Sequence, residues 1–357
     1  MGPSAATEEK PAIWREISSQ PQTIEASCRR MIEASSELAR RLEGHPNLRF
    51  LGCGSSYHAA IMASRVFNKL IGHRMASSIV CSDFIIYPDS YLKHFDKEDL
   101  FILISRTGRT TETLIAEEIL RKRGLTRLSV TTFADSDLAL KATHSIILSE
   151  AQEQSVTATR SVTSTTIALL GLTFLVKGDP SFLEQLLEGH DGFSRGFQEH
   201  CDVMARVINR HDFQKFVFLG SGPCYGLAKE AELKVKEMSL TSTESNRPLE
   251  FRHGHKSILD RRTLVVLFPT SEGLQYERNS LSQLRQQGAS LLVVCRREEA
   301  DSFEGLSDFL IAQDAKLTEE TKLVYYQLFG QLAGYYQALK KGIDPSNPPN
   351  LDYCVTF

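Results

Sequence analysis

Phe50-Leu51-Gly52-Cys53-Gly54-Ser55-Ser56-Tyr57 returns in the second half of the chain as Phe218-Leu219-Gly220-Ser221-Gly222-Pro223-Cys224-Tyr225. In both copies an apolar run enters a Gly-x-Gly turn and then an Ala-containing, helix-patterned stretch. The likeness continues outward. A second apolar run (residues 100–104 and 264–268) leads into a turn, a polar-faced helix and a third β-branched run (128–132 and 291–294). Strands alternating with helical stretches build parallel sheets wound through βαβ units. The chain therefore reads as an α/β protein with an internal repeat, and its 357 residues suit two domains of roughly 150 residues each.

Hydrophobic residues make up 41% and charged residues 24% of the chain, the balance of a globular protein with sizeable cores. With 41 Lys and Arg against 44 Asp and Glu, the net charge is −3. That gives no general attraction to nucleic acid or to an anionic membrane, so an anionic ligand must be caught by a local site. The 7 cysteines are scattered and never spaced Cys-x-x-Cys. This predicts reduced thiols in a cytoplasmic protein, with neither a zinc site nor a disulfide framework. Residues 1–14 have no apolar run behind a basic start and read as neither signal peptide nor membrane anchor, and Pro3 argues against acylation of Gly2. No stretch reaches the roughly 18 uncharged apolar residues of a spanning helix.

Leu114, Ile115, Ile119 and Leu120 predict one face of a helix that Gly124 stops. Residues 12–42 read as two helical pieces broken at Pro21, and residues 180–209 as a helical connector. Pro345, Pro348 and Pro349 bar a helix in the tail, so the last seven residues are expected to lie extended over another part of the chain. The expected organisation is an N-terminal helical segment (1–44), a first domain (45–180), the connector (181–210), a second domain (211–341) and the tail (342–357).

Three hydroxyl-rich turns follow predicted strands or precede helices. They hold Ser55 and Ser56; Ser105, Arg106, Thr107 and Thr110 around Gly108; and Ser155, Thr157 and Thr159. In an open parallel sheet such strand ends lie along one edge, where ligands bind at the topological switch point. Hydroxyls and backbone N–H groups at a helix start hold an anion without net positive charge. A Gly-x-Gly turn alone is as readily a tight turn, and the Ser/Thr run a capping turn. Their joint placement after successive strands points to a phosphate site. The sequence has no Gly-x-x-x-x-Gly-Lys-Ser/Thr motif, and residues 52–57 lack the third glycine of a dinucleotide fingerprint.

The second half offers titratable groups instead. Glu230, Lys234 and Glu237 share a helix face at i, i+4 and i+7, a pattern that a solvated face would also show. His253 and His255 flank Gly254 in a predicted loop. No third ligand keeps step with them, so a metal pair is not expected. A carboxylate and a histidine near a phosphate site are the equipment for ring opening and for moving a proton beside a carbonyl.

Taken together, GCGSSYHAA (52–60), SRTGRTTETL (105–114), KEAELKVKEMSL (229–240) and EFRHGHKSILD (250–260) resemble the double sugar-isomerase (SIS) domain family. That family includes the isomerase half of glucosamine-6-phosphate synthase, the SIS-type glucosamine- and galactosamine-6-phosphate deaminases, and the tagatose-6-phosphate ketose/aldose isomerases. The resemblance runs from Trp14 to the tail. It implies two tandem SIS domains, each a flavodoxin-like three-layer sandwich with a parallel sheet. It also implies a phosphosugar isomerase or deaminase that uses no cofactor and no metal, with a sugar phosphate as ligand and neither nucleic acid nor membrane as partner. By the same resemblance Ser55, Ser56, Ser105, Thr107 and Thr110 hold the phosphate and nearby sugar oxygens, with Arg106 at a position often occupied by glutamine. Glu237 transfers the proton, Lys234 assists it, and His253 opens the ring from a neighbouring subunit of a homodimer. Glu230, Thr159 and Tyr353 are supporting candidates.

Two departures bear on mechanism. The family usually reads His-Gly-Pro where this chain has His253-Gly254-His255. Tyr353 aligns with the tail lysine that forms a Schiff base in the synthase, and no lysine follows Lys341. Neither an amidotransferase region nor its N-terminal cysteine is found in this sequence, so glutamine-dependent synthesis is not expected. The expected reaction is conversion of an amino-sugar 6-phosphate to a ketose 6-phosphate plus ammonia. Simple aldose–ketose isomerisation and non-catalytic phosphosugar sensing are the alternatives.

Overall fold

A computed structural model describes residues 10–313 and 317–356; the N-terminal tail read as free of any anchor lies outside the described residues. The first half runs α1 (Ala12–Ser18), α2 (Gln20–Leu42), β1 (Leu48–Gly52), α3 (Ser55–Leu70), β2 (Ala76–Val80), α4 (Cys81–Ile86), α5 (Pro88–Leu92), β3 (Leu100–Ile104), α6 (Thr111–Lys122), β4 (Arg127–Thr131), α7 (Asp137–Lys141), β5 (His144–Ile147) and α8 (Arg160–Lys177). The long α9 (Ser181–Arg210) leads to β6 (Lys215–Gly220), α10 (Cys224–Ser239), β7 (Ser242–Asn246), α11 (Pro248–Phe251), β8 (Thr263–Phe268), α12 (Leu274–Arg285), β9 (Ser290–Arg296), β10 (Phe309–Gln313), α13 (Lys322–Tyr325) and α14 (Gln327–Lys340).

The strands form two five-stranded sheets ordered β2-β1-β3-β4-β5 and β7-β6-β8-β9-β10, and every pair is parallel. Both orders are the flavodoxin-like 2-1-3-4-5, with the switch point between the first and third strands of each half. The central strands are apolar on both faces, as a sheet covered by helices on both sides requires. Phe50, Ile102 and Val130 of one sheet, with Phe218, Val266 and Val294 of the other, face a core shared by both halves. Leu51 and Leu103 face an outer core under α6, and Leu219 and Leu267 an outer core under α12.

Sequence reading found three strands per half; the sheets have five. The missed strands lie at or near sheet edges and are polar or short, as in Ser242–Asn246 and His144–Ile147. Three further expectations change. The break between the first two helices falls at Ser19, and Pro21 sits in the first turn of α2, where its missing N–H has no helical partner to lose. In α6 the buried positions are Thr113, Ala116, Glu117 and Leu120, whereas Ile115 is exposed. Glu117 can be buried because its carboxylate accepts a hydrogen bond from Arg127 at 2.9 Å. Residues 248–251 and 255–258, read as loop, form a short helix and a 3-10 turn.

The halves meet where α3 packs on α10. A Cβ on Gly226 of α10 would lie 2.7 Å from Met62 Cγ and 2.9 Å from the His58 carbonyl oxygen, so only glycine allows this approach. Gly226→Ala is expected to cost about 1–3 kcal/mol through overpacking, read as a lower urea midpoint. Gly72→Ala, with nothing within 4 Å of its Cβ, should stay within about 0.5 kcal/mol of the parent.

Candidate active site

At the first switch point, β1 delivers the Gly-x-Gly turn and β3 the hydroxyl turn to the same sheet edge. A Cβ on Gly52 would meet Ser56 Cβ at 2.8 Å, and Gly54 has φ +52°, so the turn from β1 into α3 needs both glycines. In the second turn Ser105 Oγ lies 2.9 Å from Thr110 Oγ1 and accepts from Gly108 N at 3.1 Å, while Thr107 Oγ1 accepts from Arg109 N at 3.2 Å. Gly108 has φ +62°, and a Cβ there would fall 2.2 Å from Ser136 Oγ. Ser105, Thr107 and Thr110 thus ring the start of the twelve-residue helix α6, an arrangement suited to an anion.

From the other half, α10 carries Lys234, fully buried between two carboxylates. Its Nζ donates to Glu237 Oε2 at 2.7 Å and to Ser55 Oγ at 3.2 Å, and stands 3.4 Å from Glu230 Oε1. Glu230 Oε2 is 2.9 Å from His58 Nδ1 on α3. Burial opposes the Lys234 charge, but Glu230 and Glu237 outweigh it and hold its pKa above the ordinary value. Burial likewise pushes the Glu230 carboxyl up, yet Lys234, His58 and Ser55 together bring it down to about 2. Glu237 differs in exposure, with 21% of its side chain accessible against 2% for Glu230. Glu230 is therefore the internal counterion and Glu237 the carboxylate that a ligand can reach. The solvated face that the sequence also allowed holds only for the neighbouring Lys236–Glu232 pair (2.7 Å).

The C-terminal tail lies across the hydroxyl turn. Arg106 Nη2 donates to the carbonyls of Val156 (2.9 Å) and Tyr353 (2.8 Å), and Nη1 to that of Ser155 (3.2 Å) and to Glu153 (3.4 Å). The guanidinium also sits 4.3 Å from the centre of the Tyr353 ring, whose hydroxyl donates to the Glu153 carbonyl at 2.7 Å. Thr111 N donates to Val355 O at 3.3 Å, and Cys354 Sγ is 3.2 Å from Thr107 Oγ1. Arg106, expected among the phosphate ligands, thus spends its guanidinium on the tail. Thr159 donates its hydroxyl to Glu153 at 2.7 Å.

The structure brings Ser55, Lys234, Glu230 and Glu237 into one linked group and places Ser105, Thr107 and Thr110 together in the neighbouring turn. Ser56 is half-buried at the start of α3. His253 is not drawn in: it is exposed in the loop after α11, and its ring joins none of these hydrogen bonds among the described residues. His255 bonds Glu244 at 2.6 Å, and among the described residues no cluster of three or more His, Cys, Asp or Glu is placed to hold a metal. Sequence reasoning missed His58 and Glu153. His58 directly follows the repeated motif, but nothing local marks a partner in the other half. Glu153 stands two residues before the third hydroxyl run, which was its only signal.

A family model described as the SIS domain matches residues 42–175 and 211–304. The chain belongs to the SIS-domain family. Over 314 residues it is 26% identical to the isomerizing glutamine–fructose-6-phosphate aminotransferase of Methanothermobacter thermautotrophicus, covering 86% of this chain and 51% of that protein. This SIS chain thus spans about half the length of the curated relatives it matches. The crystal structure of glucosamine-6-phosphate deaminase from Thermotoga maritima superposes with a TM-score of 0.77 at 26% identity, over 96% of this chain and 99% of that one. Tagatose-6-phosphate ketose/aldose isomerase from Escherichia coli superposes with a TM-score of 0.83 at 21% identity, over 97% and 96% of the two chains, a likeness of fold. No helix among the described residues is long and apolar enough to cross a membrane.

The Glu230 carboxyl titrates near 2 in the folded SIS protein against an ordinary 4.5. Its stabilising contribution, on the order of 3 kcal/mol, is therefore complete above the ordinary value and is lost as pH falls from there toward the folded one. The stability gap between the parent and Glu230→Gln, measured by urea titration at stepped pH, is expected to be widest at neutral pH and to shrink across that acid window. A gap constant with pH would show that Glu230 is not the buried counterion.

Proposed function

We propose that this protein is a phosphosugar isomerase of the amino-sugar-phosphate deaminase type. The observation that carries the reading is the chain of hydrogen bonds from Ser55 through Lys234 to Glu237, which sets a reachable carboxylate beside the anion-binding turns. The phosphate of an amino-sugar 6-phosphate binds at Ser105, Thr107 and Thr110, with Ser55 and Ser56 toward the sugar. His253, supplied by the second copy in a homodimer, acts as acid and base in opening the ring, which accounts for its exposed position.

Glu237 then takes the proton from C2 and returns it to C1. Negative charge developing on the substrate is met by the fixed ammonium of Lys234 and by hydroxyl donors. From a 2-amino aldose this shift gives a 2-imino ketose, and water adds to the imine carbon and expels ammonia to leave the ketose 6-phosphate. An unaminated aldose phosphate would undergo the same proton shift with no nitrogen lost. Tyr353, with its hydroxyl on the Glu153 carbonyl, offers no amine for a Schiff base. The deaminase among the similar structures, alike over nearly its whole length, favours loss of ammonia over plain isomerisation.

Incubation with glucosamine 6-phosphate and with galactosamine 6-phosphate, reading ammonia and ketose phosphate together, tests the reading. Equal yields of the two products are expected, whereas ketose formed only from unaminated aldose phosphates would assign a plain isomerase. Glu237→Gln should lower turnover by about 10²–10⁴-fold while phosphosugar binding is retained.

Mixing inactive Glu237→Gln with inactive His253→Asn should restore about a quarter of the parent activity, because hybrid dimers rebuild one intact site. No recovery, with subunit exchange verified, would place His253 in its own subunit's site or outside catalysis.

A further inference from the structure

Cys53 follows β1 in the Gly-x-Gly turn and Cys81 follows β2 beside it, and nothing in the proposed chemistry uses either. Parallel pairing of β1 with β2 sets Gly52 opposite Val80, so the two cysteines come one residue later on adjacent chains at the same sheet edge. Neighbouring strands run about 4.7–4.9 Å apart, inside the Cα spacing of about 4.4–6.8 Å that a disulfide spans. The two side chains pack in the same outer apolar cluster beside α6. The neighbouring Cys81 thiol foremost, with the backbone of Cys81 and Ser82, outweighs burial and the nearby Glu112 and holds the Cys53 thiol below its ordinary pKa. The neighbouring Cys53 thiol, together with burial, pushes Cys81 well up.

No other cysteine has this setting. Burial pushes Cys28, Cys224 and Cys295 up to about 12 and Cys201 to about 11, and Cys354 lies against the Thr107 hydroxyl in the tail. Cys53 is half-buried, so a small oxidant reaches it, while Cys81 is fully buried behind it. An accessible, thiolate-prone sulfur backed by a second thiol is the arrangement of an attacking and a resolving cysteine.

We propose that Cys53 and Cys81 are a peroxide-oxidised disulfide site whose closure disables the Gly-x-Gly turn. The Cys53 thiolate attacks a hydroperoxide oxygen, the O–O bond breaks, and an alcohol or water leaves with Cys53 as sulfenic acid. The Cys81 sulfur then displaces the sulfenic oxygen as water. Two thiols are thereby oxidised by two electrons and one peroxide is reduced. The new bond draws Cys53 toward Cys81. Because the turn has no room even for a Cβ between Gly52 and Ser56 and Gly54 is held at positive φ, it cannot absorb that shift and passes it to Ser55 and Ser56. This last step rests on the phosphosugar reading; the cross-link itself does not.

The test treats the full-length protein with hydrogen peroxide and maps it without reduction by mass spectrometry. A loss of two hydrogens and a link between tryptic peptides 50–65 and 75–93 are expected, reversed by dithiothreitol. In Cys81→Ser, dimedone should trap Cys53 as sulfenic acid. Phosphosugar binding by the oxidised parent should weaken by about tenfold or more, the worth of a lost charged-group hydrogen bond. Unmodified thiols, or Cys53 sulfinic acid without a link, would overturn the site. A link with undiminished binding would overturn the disabling step alone. Absence of phosphosugar binding in the reduced protein would refute the functional reading and leave the mass result standing.

Discussion

Lys234 is a cation with no access to water, and its surroundings are organised by the need to compensate that charge. An ammonium buried alone would cost several kcal/mol and would shed its proton. Here Glu230 and Glu237 lie 3.4 Å and 2.7 Å from it, and Ser55 accepts a further bond. Glu230 is bound in turn by His58 from the other half. The ion cluster therefore ties the two flavodoxin-like repeats together. Its asymmetry also sorts the carboxylates: Glu230, between Lys234 and His58, stays inside, and Glu237, at the cluster's edge, is partly exposed.

This cluster depends on how closely the halves approach. α3 and α10 begin at the two copies of the Gly-x-Gly turn, and glycine at 226 lets α10 press on the α3 backbone. Gly330 and Gly334 of α14 do the same on the far side of α10, where Cβ atoms would fall 2.6 Å from Ala231 and 2.7 Å from the Lys234 carbonyl oxygen. Small residues on both flanks of α10 allow the packing that excludes water from Lys234, and low polarity there strengthens each charge pair. The tail supplies the remaining wall. Arg106 and Tyr353 fasten it with backbone carbonyls as acceptors, bonds that depend little on the identity of the residues being held.

Much of the fold could be read in the residues because it follows local rules. The twice-occurring apolar run into Gly-x-Gly marks β1 and β6, the apolar runs at 100–104 and 264–268 mark β3 and β8, and the hydroxyls at 105, 107 and 110 mark the turn between β3 and α6. Ser242–Asn246 could not be read, since a polar edge strand is defined by the neighbour it pairs with. Ile115 misled for a related reason. An apolar residue suggested the buried face, but the helix buries Glu117, bonded to Arg127, and leaves Ile115 exposed.

The sequence by itself determined the repeat, the two parallel sheets, the strand-end hydroxyls Ser55, Ser105, Thr107 and Thr110, and the charged triplet on one helix face. These depend on periodicities of 2 and 3.6 residues and on turn chemistry, which act over a few positions. Only the tertiary structure decided that Lys234 is buried, that Glu230 and Glu237 differ in exposure, that His58 and Glu153 take part, and that Arg106 holds the tail. Those outcomes turn on contacts such as Glu230 with His58, Lys234 with Ser55 and Arg106 with Tyr353, far apart in the chain, where burial and the local dielectric decide whether a charge is a solvated ornament or a fixed part of a site.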